Sequence, residues 1–549
     1  MQTSDSTPWL QVNNFSIHLA DSNKQLVKDL TFSIQKGEFI AMVGESGSGK
    51  SITAMSLVHL IPETFQLSGE ILFQGENLLN WPVNKFRKIR ASKLALIFQN
   101  PMHCLNPVYR CGWQIEEVLK ENTSLDKKGR EKRCVELLNQ VRLKDVSKAI
   151  SSYPHELSGG QKQRIMIAMA LASEPEMLIA DEPTTALDVL VQKEILDLVK
   201  EIQKKQKLTV LFITHDLNVA VNYADSILVM KSGELVEVGA AKDVFARAKH
   251  PYTQGLVNCK PNTERYIRPL PTVESFEGTA KENWSDLRMA KEKVELVGSE
   301  PLLSVEELSF SYNKESAPVL KGLNFDLFKG ETLGLVGASG CGKSTLGNCL
   351  MLFEEGVKGK VVYQGENILN FKKSHIRSYR KKVQMVFQDP YGAMHNKQKI
   401  GAHLMEIQTV HFPERTKEEK ELRSLELLDQ VGLERSYFSS KPNELSGGQR
   451  QRVCIARSLA LEPEILIFDE SVAALDVSVQ AKILNLLNDL KEQLELTYIF
   501  ISHDLSVVHY ISDRILVLKD GVIEEIGPAS EVYFNPQSDY TKLLLESSF

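Results

Sequence analysis

Two eight-residue runs carry the plainest chemistry in the chain. Gly44-Glu45-Ser46-Gly47-Ser48-Gly49-Lys50-Ser51 returns as Gly337-Ala338-Ser339-Gly340-Cys341-Gly342-Lys343-Ser344, followed by Thr345. Both read G-x-x-x-x-G-K-S, follow an apolar run and open a stretch of helical periodicity (51–60 and 344–351). Glycines let successive backbone N–H groups turn inward around a β-phosphate. Lys50 or Lys343 then neutralises the β/γ oxygens, and the hydroxyl of Ser51 or Ser344 is a ligand for Mg2+.

Four further sets fit the same chemistry. Apolar runs end in Asp181-Glu182 and Asp469-Glu470, adjacent acids that alternate sides on a strand and can divide the work. Asp181 and Asp469 are expected in the Mg2+ shell, with Glu182 and Glu470 as general bases for the attacking water. His215 and His503, in Thr/Ser-His-Asp, each offer a neutral imidazole to the γ-phosphate. The amides of Gln99 and Gln388 can coordinate Mg2+ and orient water. Finally, Ser158-Gly159-Gly160-Gln161 and Ser446-Gly447-Gly448-Gln449, each after a leucine, open helical segments (161–173 and 449–461) and form a second anion cradle per half.

All these motifs recur in one order, so the chain is an internal duplication. The offset falls from 293 at the first motif to 288 at the later ones, and the extra residues of the first copy are expected in loops. Each copy alternates apolar β-rich runs with helical segments, which predicts a mainly parallel sheet covered by helices. The motifs follow strands, at the carboxyl edge where such sheets bind ligands. The polar, mixed-charge stretch 261–301 reads as a linker with one short helix.

Bulk properties set the frame. The 549 residues exceed one domain, and 42% hydrophobic with 25% charged is an ordinary globular composition. A net charge of −6 gives no general attraction for nucleic acid. Seven scattered cysteines without a CxxC pair read as reduced thiols rather than a metal site. No apolar run approaches membrane-spanning length, and the amino-terminal residues show no secretion signal, so a cytoplasmic protein is expected.

Taken together, the Lys loop, the Gln, the LSGGQ run, the Asp-Glu pair, the Ala-Leu-Asp of Asp188 and Asp476, and the His resemble the ATP-binding cassette (ABC) ATPases over nearly the whole chain. The resemblance implies an α/β fold of two tandem P-loop NTPase domains (8–260 and 301–549, linker 261–300). Each would be a RecA-like mixed sheet with a helical subdomain and a small antiparallel β subdomain. It further implies that ATP is sandwiched head to tail, Lys50 facing Ser446 and Lys343 facing Ser158, with Asp188 and Asp476 crossing between halves. That family stacks adenine on an aromatic residue, which corresponds to Tyr312 in the second copy. The first copy has Leu19 there, with Phe15 or His18 nearby. Copy two also has Ser471 where copy one has Pro183.

The run 98–107 (FQNPMHCLNP), the segment His250-Pro251-Tyr252-Thr253-Gln254-Gly255-Leu256 and its looser echo at 535–543 resemble the oligopeptide/dipeptide/nickel import ATPases. That implies an ATP-hydrolysing subunit at the cytoplasmic face of the cell membrane, working with two permease subunits and, indirectly, a solute-binding protein. Nickel and glutathione stay open as cargo. Some relatives carry an iron–sulfur cluster in this tail, but only Cys259 lies here, so none is expected. The other readings are a translation-factor-like twin cassette on ribosomes, whose basic hairpin linker is lacking, and an ATP-binding scaffold, which predicts loss of Glu182 or Glu470.

Overall fold

Runs such as Phe39–Val43, Met177–Asp181 and Thr209–Thr214 are buried at every position, as parallel strands between helical layers must be. The computed structural model describes residues 8–22, 24–99, 104–184, 187–261, 266–277, 300–313, 317–472 and 475–547. In the first copy six strands lie in the order Glu234–Ala240, Ser226–Lys231, Phe39–Val43, Thr209–Thr214, Met177–Asp181, Leu94–Ile97. All neighbours are parallel except the first pair. The second copy repeats this with Val522–Pro528, Arg514–Lys519, Thr332–Val336, Thr497–Ile501, Ile465–Asp469 and Val383–Val386.

Register places the chemistry. Asp181 pairs with Ile213, so Glu182 and His215 leave adjacent strands at nearly the same level. Asp469 pairs with Ile501 to the same effect. Beside each main sheet lies an antiparallel one, formed by Leu10–Leu19, Gln25–Ile34, Phe65–Phe73 and Glu76–Asn77 in the first copy. A helical layer (Cys111–Asn122, Lys127–Gln140, Gly159–Leu171) packs around Ile115, Leu119, Leu137 and Ile165. The mixed sheet, helical layer and small antiparallel sheet are therefore present in both halves.

The length difference between copies does not sit only in loops. Phe65–Phe73 has nine residues where Lys358–Tyr363 has six, and the connections from Leu57 and from Leu350 to these strands are equally long. Three of the five extra residues thus extend a strand.

The two halves share buried apolar surface. One cluster joins Ala41, Val43 and Leu217 of the first half, Tyr252, Leu256, Cys259, Leu270 and Val273 of the following segment, and Phe468, Leu484 and Val508 of the second half. Residues 262–265 and 278–299 of the stretch read as a linker lie outside the described residues. Its described part is docked: Tyr266 stacks on Tyr510 with centroids 5.3 Å apart, and Leu270 exchanges hydrogen bonds of 2.8 and 2.9 Å with Asn485. Helix Val273–Glu277 is the short helix expected there. Among the described residues no helix is long and apolar enough to cross a membrane, and no cluster of three or more His, Cys, Asp or Glu is set to hold a metal. The cysteines are free thiols, all buried but Cys104, and burial pushes Cys111 up to about 11 and Cys259 up to about 12.

Candidate functional site

Each lysine loop connects the central strand of its sheet to a helix, Lys50–Leu57 or Lys343–Leu350. A Cβ on Gly44 would lie 2.2 Å from the Met230 carbonyl, and one on Gly337 equally close to that of Leu518, so only glycine lets the loop leave the strand this tightly. Gly49 and Gly342 turn into the helices at φ 102 and 110. The buried Lys50 ammonium lies 2.8 Å from both the Gly44 and Glu45 carbonyls. Burial holds its pKa below the ordinary lysine value, against the pull of Glu182 and Asp476. Lys343 lies 2.8 and 3.0 Å from the Gly337 and Ala338 carbonyls and 3.8 Å from Glu470.

The expected metal donors meet in pairs. The Ser51 hydroxyl donates to Asp181 at 3.0 Å, and Ser344 to Asp469 at 2.9 Å. Burial raises the pKa of both carboxyls, and the serine bond opposes it. Hydroxyl and carboxylate oxygens beside a phosphate cradle are a hard donor set that fits Mg2+. Gln99 and Gln388 are not in these pairs. Each donates its amide N–H to the glutamate instead, Gln99 to Glu182 and Gln388 to Glu470, both at 2.9 Å.

Glu182 and Glu470 take φ +44, a left-handed conformation rare outside glycine. That turn, rather than strand pleating alone, aims them away from the preceding aspartates. Their N–H groups still pair with the next strand, at Ile213 and Ile501, 3.0 Å each. His215 Nδ1 lies 3.4 Å from Glu182, and His503 Nδ1 lies 3.8 Å from Glu470. Burial would lower the His215 pKa, but Glu182, Asp476 and Asp216 together outweigh it and hold the ring above its ordinary value. The His503 bond holds Glu470 below the usual carboxylate range, against burial and with help from Lys343.

In the second cradle, Ser158 and Ser446 cap helices Gly159–Leu171 and Gly447–Leu459 with reciprocal bonds to Gln161 and Gln449. The glycines that follow are needed for packing as well: a Cβ on Gly160 would lie 2.5 Å from Val191, and one on Gly448 2.3 Å from Val479.

Aspartates from each half reach the other. Asp476 accepts the Ser46 N–H at 2.9 Å, and Asp188 accepts that of Ser339 at 3.3 Å. The Ser478 hydroxyl donates to the Glu45 carboxylate. Asp476 also acts on the charges of Lys50 and His215. The start of each lysine loop is thus contacted by an aspartate of the opposite half. Of the residues just before these aspartates, 185–186 and 473–474 lie outside the described ones, as do 100–103 of the run after Gln99.

Tyr312 is more than half exposed, and its hydroxyl lies 3.1 Å from that of Thr345 on the helix after the lysine loop. Phe15 is not an equivalent in the first half, because it is fully buried in the core between the two sheets. His18 stays partly exposed on strand Leu10–Leu19.

Three residues near the sites were missed from sequence. The Tyr252 hydroxyl accepts the Glu45 N–H at 2.9 Å, and that of Tyr540 accepts the Ala338 N–H at 3.0 Å. Their signal was present, since both lie in the tail segments noted as subfamily marks. Lys260 lies between Asp216, at 3.3 Å, and Asp504, at 3.9 Å, the residues that follow the two histidines. No local pattern points to it.

Comparison with known proteins agrees with this geometry. The family model described as "ABC transporter" matches residues 27–185 and 320–473, and that described as "Oligopeptide/dipeptide transporter, C-terminal region" matches 236–283. The chain is 39% identical to the glutathione import ATP-binding protein GsiA of Pectobacterium atrosepticum, over 98% of this chain and 89% of that one. It is 40% identical to GsiA of Escherichia coli K12 with the same coverage. With the peptidoglycan transport ATP-binding protein YejF of Agrobacterium fabrum it shares 38% identity over 100% of this chain and 98% of that one. A motif order written twice, two lysine loops each contacted from the other half and similarity running the whole length have one reading: this chain belongs to the ABC transporter family, as an ATPase with two cassettes in one polypeptide.

Proposed function

We propose that this ATPase energises the import of oligopeptides, dipeptides or related small peptides through separate membrane permeases. In this reading one ATP is sandwiched between Lys50 and Ser446 and a second between Lys343 and Ser158. Mg2+ would be held by Ser51 with Asp181 and by Ser344 with Asp469, and supplies charge neutralisation at the β/γ oxygens. Gln99 and Gln388, in contact with the bases, orient the water while sharing in the metal shell only once nucleotide is bound. Glu182 and Glu470 take the proton of that water, and His215 and His503 hold the glutamates and donate toward the γ-phosphate.

The observation that carries this is the reciprocal grip of Asp476 on Ser46 and Asp188 on Ser339. Together with the Glu, Gln and His set that each half carries, it supports two competent sites.

Peptide import is supported by the oligopeptide/dipeptide tail and by relatives named for glutathione and peptidoglycan transport. Glutathione is itself a small peptide and stays within the class. A membrane partner is supported by exposed Val108, Tyr109 and Trp113, which follow the Gln99 segment; the two rings stack at 4.1 Å. Such partners place the chain at the cytoplasmic face of the cell membrane, with a solute-binding protein acting across it.

Replacing Glu182 and Glu470 by Gln together should cut phosphate release by about 10²–10⁴-fold with ATP binding retained. Replacing Ser158 and Ser446 together should also stop turnover, and undiminished turnover in either pair overturns the sandwich. Co-purification with two integral membrane subunits tests the importer reading, and recovery with ribosomes instead refutes it.

A further inference from the structure

The tail segments do more than mark a subfamily. In the first cassette helix Pro251–Asn258 carries Tyr252, fully buried, and in the second helix Asp539–Ser547 carries Tyr540. Both phenols end on the same atom of the machinery, the N–H of the second residue of the lysine loop, Glu45 at 2.9 Å and Ala338 at 3.0 Å. The next N–H along each loop, Ser46 or Ser339, is the one taken by the opposite cassette's aspartate. Two consecutive loop amides are therefore held, one by the cassette's own tail and one from across the interface.

The tails also touch that opposite cassette. Pro251–Asn258 packs against helix Val477–Leu494, which Asp476 precedes, and Asp539–Ser547 packs against Val189–Gln206, which Asp188 precedes. Lys193 donates to the Glu546 carbonyl at 2.6 Å, and Lys482 pairs with Glu274. Each tail is wedged between its own phosphate loop and the far helix that delivers the crossing aspartate.

Packing alone does not account for the hydroxyls. A buried aromatic could be phenylalanine, whereas a buried phenol must find a partner. The flanking residues differ between copies, His250-Pro251 against Ser538-Asp539, yet the tyrosine and its bond are the same. Lys231 and Lys519 lie over the two rings, 5.3 and 5.0 Å from their centroids, and burial pushes both phenol pKa values up, so both stay neutral.

We propose that Tyr252 and Tyr540 are positioning residues for ATP turnover. Each hydroxyl sets the start of its phosphate loop in the register that the opposing aspartate requires, so that closing the cassettes and shaping the loop become one event. The inference rests on the head-to-tail turnover proposed above.

The test uses the full chain with Tyr252→Phe and Tyr540→Phe, alone and together, and with Tyr252→Phe combined with Asp476→Asn. Loss of one hydrogen bond needed only on closure predicts a fall in kcat of roughly three- to ten-fold per site, with equilibrium ATP affinity within about two-fold. The Tyr252→Phe and Asp476→Asn effects should be strongly non-additive, because both act on adjacent amides of one loop. Unchanged kcat, a loss confined to ATP affinity, or effects that simply multiply would overturn the proposal. The Glu182→Gln/Glu470→Gln pair separates the two levels: if that pair still turns over ATP the parent reading fails, whatever the tyrosines do.

Discussion

Glu182 and Glu470 show how much of the site depends on single backbone conformations. Each follows a fully regular strand, takes φ +44, and receives both a Gln amide and a His ring on its carboxylate. The tie is tighter in the first half, where the His215 ring stands 3.4 Å away against 3.8 Å for His503. His215→Ala should lower turnover at its site by about 10²-fold while leaving nucleotide binding in place, measured as single-turnover phosphate release with the second site silenced by Glu470→Gln. The pair of acids was legible in sequence; the left-handed turn that separates them was not, because nothing in Ala-Asp-Glu-Pro demands it.

At the level of elements, the second cradle is built on close helix contact. Gly448 faces Val479 so closely that a methyl would stand 2.3 Å from its Cγ1, whereas the neighbouring Gly447 would meet Leu475 at an ordinary 3.7 Å. Gly448→Ala should therefore cost about 1–3 kcal/mol of stability and Gly447→Ala much less, checked by urea denaturation. A valine on this helix is stiff at χ1 and cannot swing aside without moving the backbone. Both glycines were read from sequence as phosphate ligands, and the packing role of the second became visible only with the helix Val477–Leu494 in place.

Across the whole molecule the two halves are joined by charge as well as by the shared apolar cluster. Lys260 stands between Asp216 and Asp504, each of which caps the helix after a site histidine. Burial works against the ammonium, but these two carboxylates raise its pKa above the ordinary value. Burial likewise opposes the Asp504 carboxylate, and Lys260, the Ser506 hydroxyl, His503 and the Val507 N–H hold it below the usual range. The signs give a plateau. Asp504 adds stability that is present above its unfolded pKa and is lost as pH falls through its lowered folded value. Lys260 adds stability that is present below its unfolded pKa and is lost as pH rises through its raised one. Lys260→Met should cost about 1–3 kcal/mol at neutral pH, remove the alkaline edge and weaken the acid edge of the stability curve, measured by denaturation across a series of pH values.

What the residues alone determined is the set of motifs that rest on short spacing. The lysine loops, the serine caps and the strand-end acids each need particular residue types within a few positions, and a second copy of the order excludes coincidence. What the tertiary structure decided lies at long separation: the crossing aspartates, the tail tyrosines on the loop amides, Lys260 between two histidine loops, and Phe15 spent on the core. The bonds among these join residues some 40 to more than 400 positions apart, and no periodicity in a chain encodes which distant amide a phenol or an aspartate will meet; the docking of each tail on its own cassette selects the first, and the packing of one cassette against the other selects the second.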